Sequence, residues 1–332
     1  MNAASPRTVT VSVVIVSYCT RALTLACIES LYSQPQGVPF EVVVVDNASS
    51  DGSAEAIART YPQATLIALD ENIGFGRACN IAARTAVGEY ILLLNPDTEV
   101  PAGLLERMVA FERAHPEAGL VGGRTMKPDG GLDPSSCWGA FTLWSVACSA
   151  TGLSTIFKKN TFFDPESLGT WPRDSVRAVG VVTGCLLLVA RPLWDELGGF
   201  DPRYFMFGED FDLSARAIDL GYTPMITPDA TIMHVLSAST TVRADRLVLM
   251  SKARVTIMQQ RWRPAARRLG VVMYSFGVWF RGAAARLSEM LSAGRTERAW
   301  APTWKRRREW LSGYPDFDAT RDGLAIEREG AA

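Results

Sequence analysis

The first 120 residues alternate between two hydrophobic rhythms, and that alternation constrains the fold more than any other feature. Residues 11–18 (VSVVIVSY), 40–45 (FEVVVV) and 90–94 (YILLL) are nearly continuous apolar runs, and 65–69 (TLIAL) is a shorter one. A strand that is apolar at consecutive positions is buried on both faces, as in the middle of a parallel sheet. Between these runs, residues 20–33, 53–60, 76–86 and 102–114 read as helices. Small or polar residues open them, and Pro or Gly closes them. Strand and helix in strict alternation predict an α/β fold, a doubly wound and mostly parallel sheet flanked by helices. Ligands of such sheets bind at the carboxyl ends of the strands.

Residues 121–178 lose this rhythm. Within them, 137–157 carries no charged side chain and is long enough for a membrane span. Its Ser, Thr and Gly residues argue against one. So does topology, because a span would separate segments 11–120 and 179–235, which together carry the chemistry. A membrane-facing or acceptor-facing apolar insertion is the alternative. A buried strand is expected at 179–190, then a helix at 191–197, the turn Gly198-Gly199-Phe200-Asp201, a helix at 210–220, and strands at 223–227 and 231–234.

The formal net charge of −1 conceals a split: residues 243–310 hold 16 Lys+Arg against 4 Asp+Glu and five of the nine tryptophans, which leaves the remainder acidic. A basic, Trp-rich helical extension predicts an anionic surface as partner, a membrane in preference to nucleic acid. Residues 269–280 are apolar but too short to span. They fit an interfacial helix, or equally a helix packed on the core. The six cysteines form no C-x-x-C pair and no zinc-ligand spacing, so they are expected as reduced, buried residues. Residues 1–8 contain no apolar signal core, which points to the cytoplasm.

Four constellations carry candidate chemistry. Val45-Asp46-Asn47-Ala48-Ser49-Ser50-Asp51-Gly52 follows the second strand, and Asp46 there could accept from a base N–H or a ribose hydroxyl; a plain capped loop is the simpler reading. Asn72-Ile73-Gly74-Phe75-Gly76-Arg77-Ala78-Cys79-Asn80 allows close backbone approach at a helix start, with Arg77 available for a phosphate, although a tight turn would look the same. Leu94-Asn95-Pro96-Asp97-Thr98-Glu99 ends a buried strand in acids placed to hold a divalent cation, or merely to solvate a turn. Phe207-Gly208-Glu209-Asp210-Phe211-Asp212 sets carboxylates among aromatics at a helix start, where a partly desolvated acid can serve as a general base. Asp212 and Arg216, at i and i+4, read as a surface pair. His234 acquires interest only as a metal contact beside Asp97.

In this order and combination, the motifs resemble the inverting family 2 glycosyltransferases of the GT-A fold over residues 10–240. V-x-V-V-I-V-S-Y, V-V-V-D-N-A-S-x-D-G-S, N-x-G-F-G-R-A-x-N, L-L-N-P-D-T, V-x-G-x-x-L-L-V-A-R, G-G-F-D and F-M-F-G-E-D-F-D-L-S-x-R carry the likeness. The N-P-D and G-E-D-F-D-L variants are most similar to bacterial dTDP-rhamnosyltransferases. The resemblance implies a catalytic domain at 1–240, with a nucleotide-binding half (1–120) and an acceptor-binding half (121–240), and an extension at 241–332. It implies a dTDP- or UDP-linked sugar donor and a glycan acceptor; the basic segment 243–310 extends that expectation to a polyprenyl-linked acceptor and a place on the inner face of the plasma membrane. It implies Mg²⁺ or Mn²⁺ on the donor diphosphate. It assigns Ser17, Tyr18, Asp46, Asn47, Gly74, Arg77, Asn80, Asn95, Asp97 and Gly184 to the donor, Asp97 and His234 to the metal, and Asp210 to the base, with Glu209 as its neighbour and substitute. Asn95 stands where the family's D-x-D motif has its first acid, which throws more of the metal binding onto His234. The absence of G-x-G-x-x-G after the first strand excludes a dinucleotide fold, and the absence of an early G-x-G-x-R loop excludes a nucleotidyltransferase. A non-catalytic scaffold in polysaccharide assembly is the remaining alternative. Oligomeric state stays open.

Overall fold

The computed structural model describes residues 9–158, 160–235, 243–291 and 299–317, without the side chains of 288–291. Residues 1–8 and 292–298 of the basic segment lie outside the described residues. The strands are β1 (Val11–Ser17), β2 (Phe40–Asp46), β3 (Thr65–Ala68), β4 (Tyr90–Leu94), β5 (Thr98–Glu99), β6 (Leu120–Met126), β7 (Leu132–Asp133), β8 (Cys137–Trp138), β9 (Arg177–Ala178), β10 (Val181–Val182), β11 (Leu186–Ala190) and β12 (Met225–His234). The helices are α1 (Arg21–Tyr32), α2 (Ser53–Thr60), α3 (Phe75–Thr85), α4 (Leu104–Ala114), α5 (Leu143–Thr151), α6 (Leu153–Ile156), α7 (Arg191–Leu197), α8 (Glu209–Asp219), α9 (Arg243–Arg261), α10 (Pro264–Leu291), α11 (Trp300–Lys305) and α12 (Arg307–Trp310).

The central sheet runs β3-β2-β1-β4-β11-β6-β12-β5. β1 to β4 are parallel to one another, and β6 and β12 are parallel to each other. β11 is the one long strand that runs against its neighbours β4 and β6. The mostly parallel α/β sheet expected from the sequence is therefore present. The apolar runs sit at its centre: every residue of β1 and β4 is buried, and the two faces feed separate hydrophobic cores beneath the two helix layers.

Three features depart from the sequence expectations. β6 is a central strand inside the stretch that looked irregular. Its Gly122 and Gly123 break the apolar pattern because neighbouring groups fill the space of a side chain: a Cβ on Gly122 would lie 2.6 Å from Val182 Cγ1, and one on Gly123 would overlap the carbonyl oxygen of Ala230. The single strand expected at 179–190 is two, β10 and β11, parted at Thr183-Gly184-Cys185. The two strands expected at 223–234 are one, β12, with a register shift between Thr227 and Thr231.

The 137–157 stretch forms β8, α5 and α6 and buries Cys137, Val146 and Cys148. Among the described residues, no helix is long and apolar enough to cross a membrane. Five cysteines are buried, Cys19 is exposed, and all six are free. The basic extension folds back onto the sheet domain. Val248, Val255 and Met258 of α9, Tyr274 and Val278 of α10, and Trp310 close a hydrophobic cluster with Val146 of α5.

Candidate active site

Sheet register assembles the first half of the site. β4 ends at Leu94, and the turn Asn95-Pro96-Asp97 leads into β5, whose Thr98 pairs with His234 at the end of β12. Val235 N–H donates to the Asp97 carbonyl at 2.8 Å. His234 Nε2 then lies 3.1 Å from Asp97 Oδ1 and 3.4 Å from Asn95 Nδ2, and its Nδ1 lies 2.6 Å from Asp133 Oδ2. Burial works against an imidazolium here. The hydrogen bonds to Asp133 and Asp97, joined by their charges, outweigh it and lift His234 to about 9. Asp133 has the opposite balance: burial opposes its ionisation, but bonds from His234 and Ser135 hold it below its ordinary value.

The second half grows from the break between β10 and β11. Gly184 N–H donates to Asp210 Oδ1 at 3.0 Å, and a Cβ at Gly184 would come 2.9 Å from Phe75 Cε1, so only glycine fits without displacement. Phe207 and Gly208 both take positive φ, 66° and 93°, turning the chain sharply into α8, whose first residues are Glu209 and Asp210. Phe207 holds this conformation without glycine's freedom. Burial raises the pKa of both acids, and Asp210 beside it raises Glu209 further. Glu209 Oε2 is buried and has no hydrogen-bond partner.

The two halves open on one cavity of about 600 Å³, lined by Tyr18, Asn47, Asn95, Asp97, Gly184, Glu209, Asp210 and His234 among others. The remaining candidates stand off its walls. Ser17 is fully buried and bonds Thr24 Oγ1 at 3.0 Å. Asp46 accepts from Ser49 N–H at 3.0 Å, while its other oxygen, Oδ1, is buried and unpartnered. Gly74 is pressed against the Phe205 carbonyl. Arg77 does not face the cavity: Nε donates to the Pro202 carbonyl at 2.5 Å and the guanidinium lies over the Phe317 ring. Asn80 is likewise taken up by the fold, clamping Phe200 through its N–H at 2.9 Å and its carbonyl at 2.8 Å. Asn47 lines the cavity and also holds the 72–74 loop, accepting from Ile73 N–H and donating to Asn72 Oδ1, both at 3.0 Å. Asp212 and Arg216 are no surface pair. They join at 2.7 Å in a partly buried latch, and Arg216 also donates to the Gly199 carbonyl at 2.8 Å.

Sequence reasoning missed one wall of the cavity. α9 contributes Arg246, Met250, Ala253, Arg254 and Ile257. Arg254 forms a double hydrogen-bonded ion pair with Glu166, and Arg246 stacks over Phe207. The spacing of the α9 arginines held no signal of this, because charge on a basic helix looks the same whether it faces solvent or a pocket. Asp133 was missed as well; it is one acid among many until β7 brings it under His234.

Asp97 and His234 offer a carboxylate oxygen and an imidazole nitrogen to the same space, a donor set suited to Mg²⁺ or Mn²⁺. Among the described residues, no three His, Cys, Asp or Glu side chains are grouped to hold a metal.

The profile of the family described as "Glycosyl transferase family 2" matches residues 12–167. An N-acetylglucosaminyl-diphospho-decaprenol L-rhamnosyltransferase of Mycobacterium tuberculosis is 30% identical over 216 residues, covering 61% of this chain and 68% of that protein. Among solved structures, the mannosyltransferase PcManGT from Pyrobaculum calidifontis, in complex with GDP-Man and Mn²⁺, superposes with a TM-score of 0.51 at 20% identity, covering 98% of this chain and 82% of that one. S. aureus TarS 1–349 in complex with UDP gives 0.50 at 16% identity, covering 80% and 70%. The likeness to these two structures is one of fold.

Proposed function

The chain belongs to glycosyl transferase family 2 and is a glycosyltransferase, and we propose that it moves L-rhamnose from dTDP-rhamnose to a hydroxyl of a polyprenyl-linked glycan, with inversion, at an anionic membrane surface. The observation that carries the reading is the convergence of Asp97 and His234 with Glu209 and Asp210 on a single cavity. The rhamnosyl donor and the lipid-linked acceptor follow the activity of the mycobacterial relative.

The reaction is a single displacement at the anomeric carbon. Asp210 takes the proton from the attacking acceptor hydroxyl on one side of the sugar, while the nucleoside diphosphate departs on the other. A base with a pKa raised toward neutrality matches this task, because it is ionised enough to act and basic enough to accept. Gly184 N–H fixes the carboxylate by holding Oδ1. On the leaving-group side, Asp97 and His234 would hold Mg²⁺ or Mn²⁺, which would offset the charge gathering on the diphosphate. Tyr18, at the cavity wall, suits the ring of a pyrimidine base.

Incubating the protein with dTDP-rhamnose, UDP-sugars and GDP-mannose, with Mn²⁺ and a short-chain polyprenyl-diphospho-N-acetylglucosamine acceptor, tests this. Release of dTDP above the rate without acceptor is expected. Release of UDP or GDP in its place would overturn the rhamnosyl assignment.

A further inference from the structure

Helix α10 is apolar on two opposite faces. Its inner face carries Gly270, Tyr274, Gly277, Val278, Gly282 and Ala285, all buried; at Gly277 the fit against Ala150 of α5 leaves no room for a side chain. At 100° per residue the opposite face carries Leu269, Val272, Phe276, Trp279, Phe280 and Leu287. These are all exposed, between 44% and 65% of their surface. A helix on the outside of a water-soluble domain turns a polar face outward; one that is apolar all round is covered. The exposed stripe extends over about 27 Å, and Phe276 stacks with Phe280 and lies beside Trp279.

From this we infer that the outer face of α10 is a membrane-docking surface, seated in the headgroup layer of an anionic bilayer with its apolar side chains inserted. Charge selects the occupant. Arg268 and Arg286 are exposed at the margin of the stripe and Arg263 is exposed just before the first turn of α10, within a segment that is strongly basic overall. That suits lipid phosphates, and it opposes pairing of this face with the same face of a second copy. Trp and Phe beside Arg match the interfacial layer, where ring and cation can each find a suitable depth. α10 lies on the bilayer and does not cross it. α10 packs on α5, and Ser149 of α5 lines the catalytic cavity while accepting from Arg281. Docking therefore fixes the cavity at a set height above the lipid. The inference deepens the reading above and rests on it for one purpose, the delivery of a lipid-borne acceptor.

The test is flotation of the full chain with vesicles of phosphatidylcholine alone or with 30% phosphatidylglycerol, without nucleotide or acceptor. The wild type should float with the anionic vesicles. The triple variant Phe276→Ser, Trp279→Ser, Phe280→Ser should lose at least ten-fold in partitioning while keeping its circular dichroism spectrum and thermal midpoint. Arg263→Gln, Arg268→Gln and Arg286→Gln should each cost about five-fold. An unchanged triple variant, a wild type that stays at the bottom of the gradient, or a stable dimer that the triple substitution dissolves would overturn the inference. Sugar transfer to a water-soluble acceptor separates this outcome from the proposed chemistry. The triple variant should retain it, and vesicle binding without any transfer would sink the chemistry and leave the docking surface standing.

Discussion

His234 and Asp133 are joined by a short polar contact, with Nδ1 2.6 Å from a carboxylate that is itself almost fully buried. Without a metal, the imidazolium donates Nδ1–H to Asp133 and Nε2–H to Asp97; a cation at the site would replace the Nε2 proton while Asp133 keeps Nδ1–H. A buried acid behind a histidine is the usual means of fixing a ligand's tautomer and ring plane. Asp133→Asn should therefore weaken Mn²⁺ binding about 10- to 100-fold, as read from the electron paramagnetic resonance of free Mn²⁺. Unchanged binding would remove Asp133 from this role.

The same cluster makes stability depend on pH. His234 is raised from 6.5 to about 9, so it is the imidazolium that the fold favours. Its contribution is fully present below pH 6.5 and is lost as pH rises through about 9. The metal-free thermal midpoint should fall across that window, and His234→Gln should flatten the slope. A wild-type midpoint independent of pH there would contradict the pairing.

Asp210→Asn should cut turnover by about 10²- to 10⁴-fold and leave nucleotide affinity within about two-fold. It should also make the protein more stable at neutral pH. Burial raises both acids of the pair, so the folded state resists their ionisation, and the penalty accrues as pH climbs from the ordinary carboxylate range toward neutrality. The midpoint advantage of the variant should shrink as pH is lowered toward 4. Glu209→Gln should show a similar gain with a smaller loss of rate; the reverse order would make Glu209 the base.

Gly184→Ala tests the support beneath the proposed base, Asp210. The new methyl group would sit 2.9 Å from Phe75 and 3.2 Å from Asp210 Oδ1. Displacing the carboxylate should lower kcat at least ten-fold with little change in the KM for the donor, measured by steady-state kinetics.

Asn80 bonds both polar groups of Phe200. Asn80→Ala should cost about 1–3 kcal/mol of stability in urea denaturation, since it leaves two partly buried backbone groups without partners. Calorimetry should show nucleotide affinity nearly unchanged. A large loss of affinity at unaltered stability would return Asn80 to the donor site.

Sequence revealed the half of the molecule where local pattern and burial agree. β1, β2 and β4 are apolar at nearly every position because helices cover both faces, and no other environment asks for that pattern. Asp97, Asp210 and His234 were legible as a set because each ends or begins an element at the same edge of the sheet. β6 was not legible, since Gly122 and Gly123 answer to neighbours distant in the chain. Arg77 looked like a phosphate ligand and Asn80 like a donor contact because polar residues on a helix after two glycines serve either purpose. Only the docking of the 200–207 turn commits them to the fold. The pocket wall from α9 was hidden for a similar reason, as periodicity cannot tell which molecule a helix face will meet.

The pairing of Leu94 with Leu186 has a consequence for how such an enzyme can change. The chain leaves one end of that rung toward Asp97 and enters the other by way of Gly184, the donor that holds Asp210. In the proposed reaction, leaving-group handling and proton acceptance would thus be pinned to a common ruler, the cross-strand spacing of a buried β-sheet, which is the same whatever side chains it carries. Walls built from 138–167 and α9 can be re-cut for another sugar or acceptor while that gauge stays at one setting. A single-residue slip of β11 against β4 would mis-set both chemistries at once.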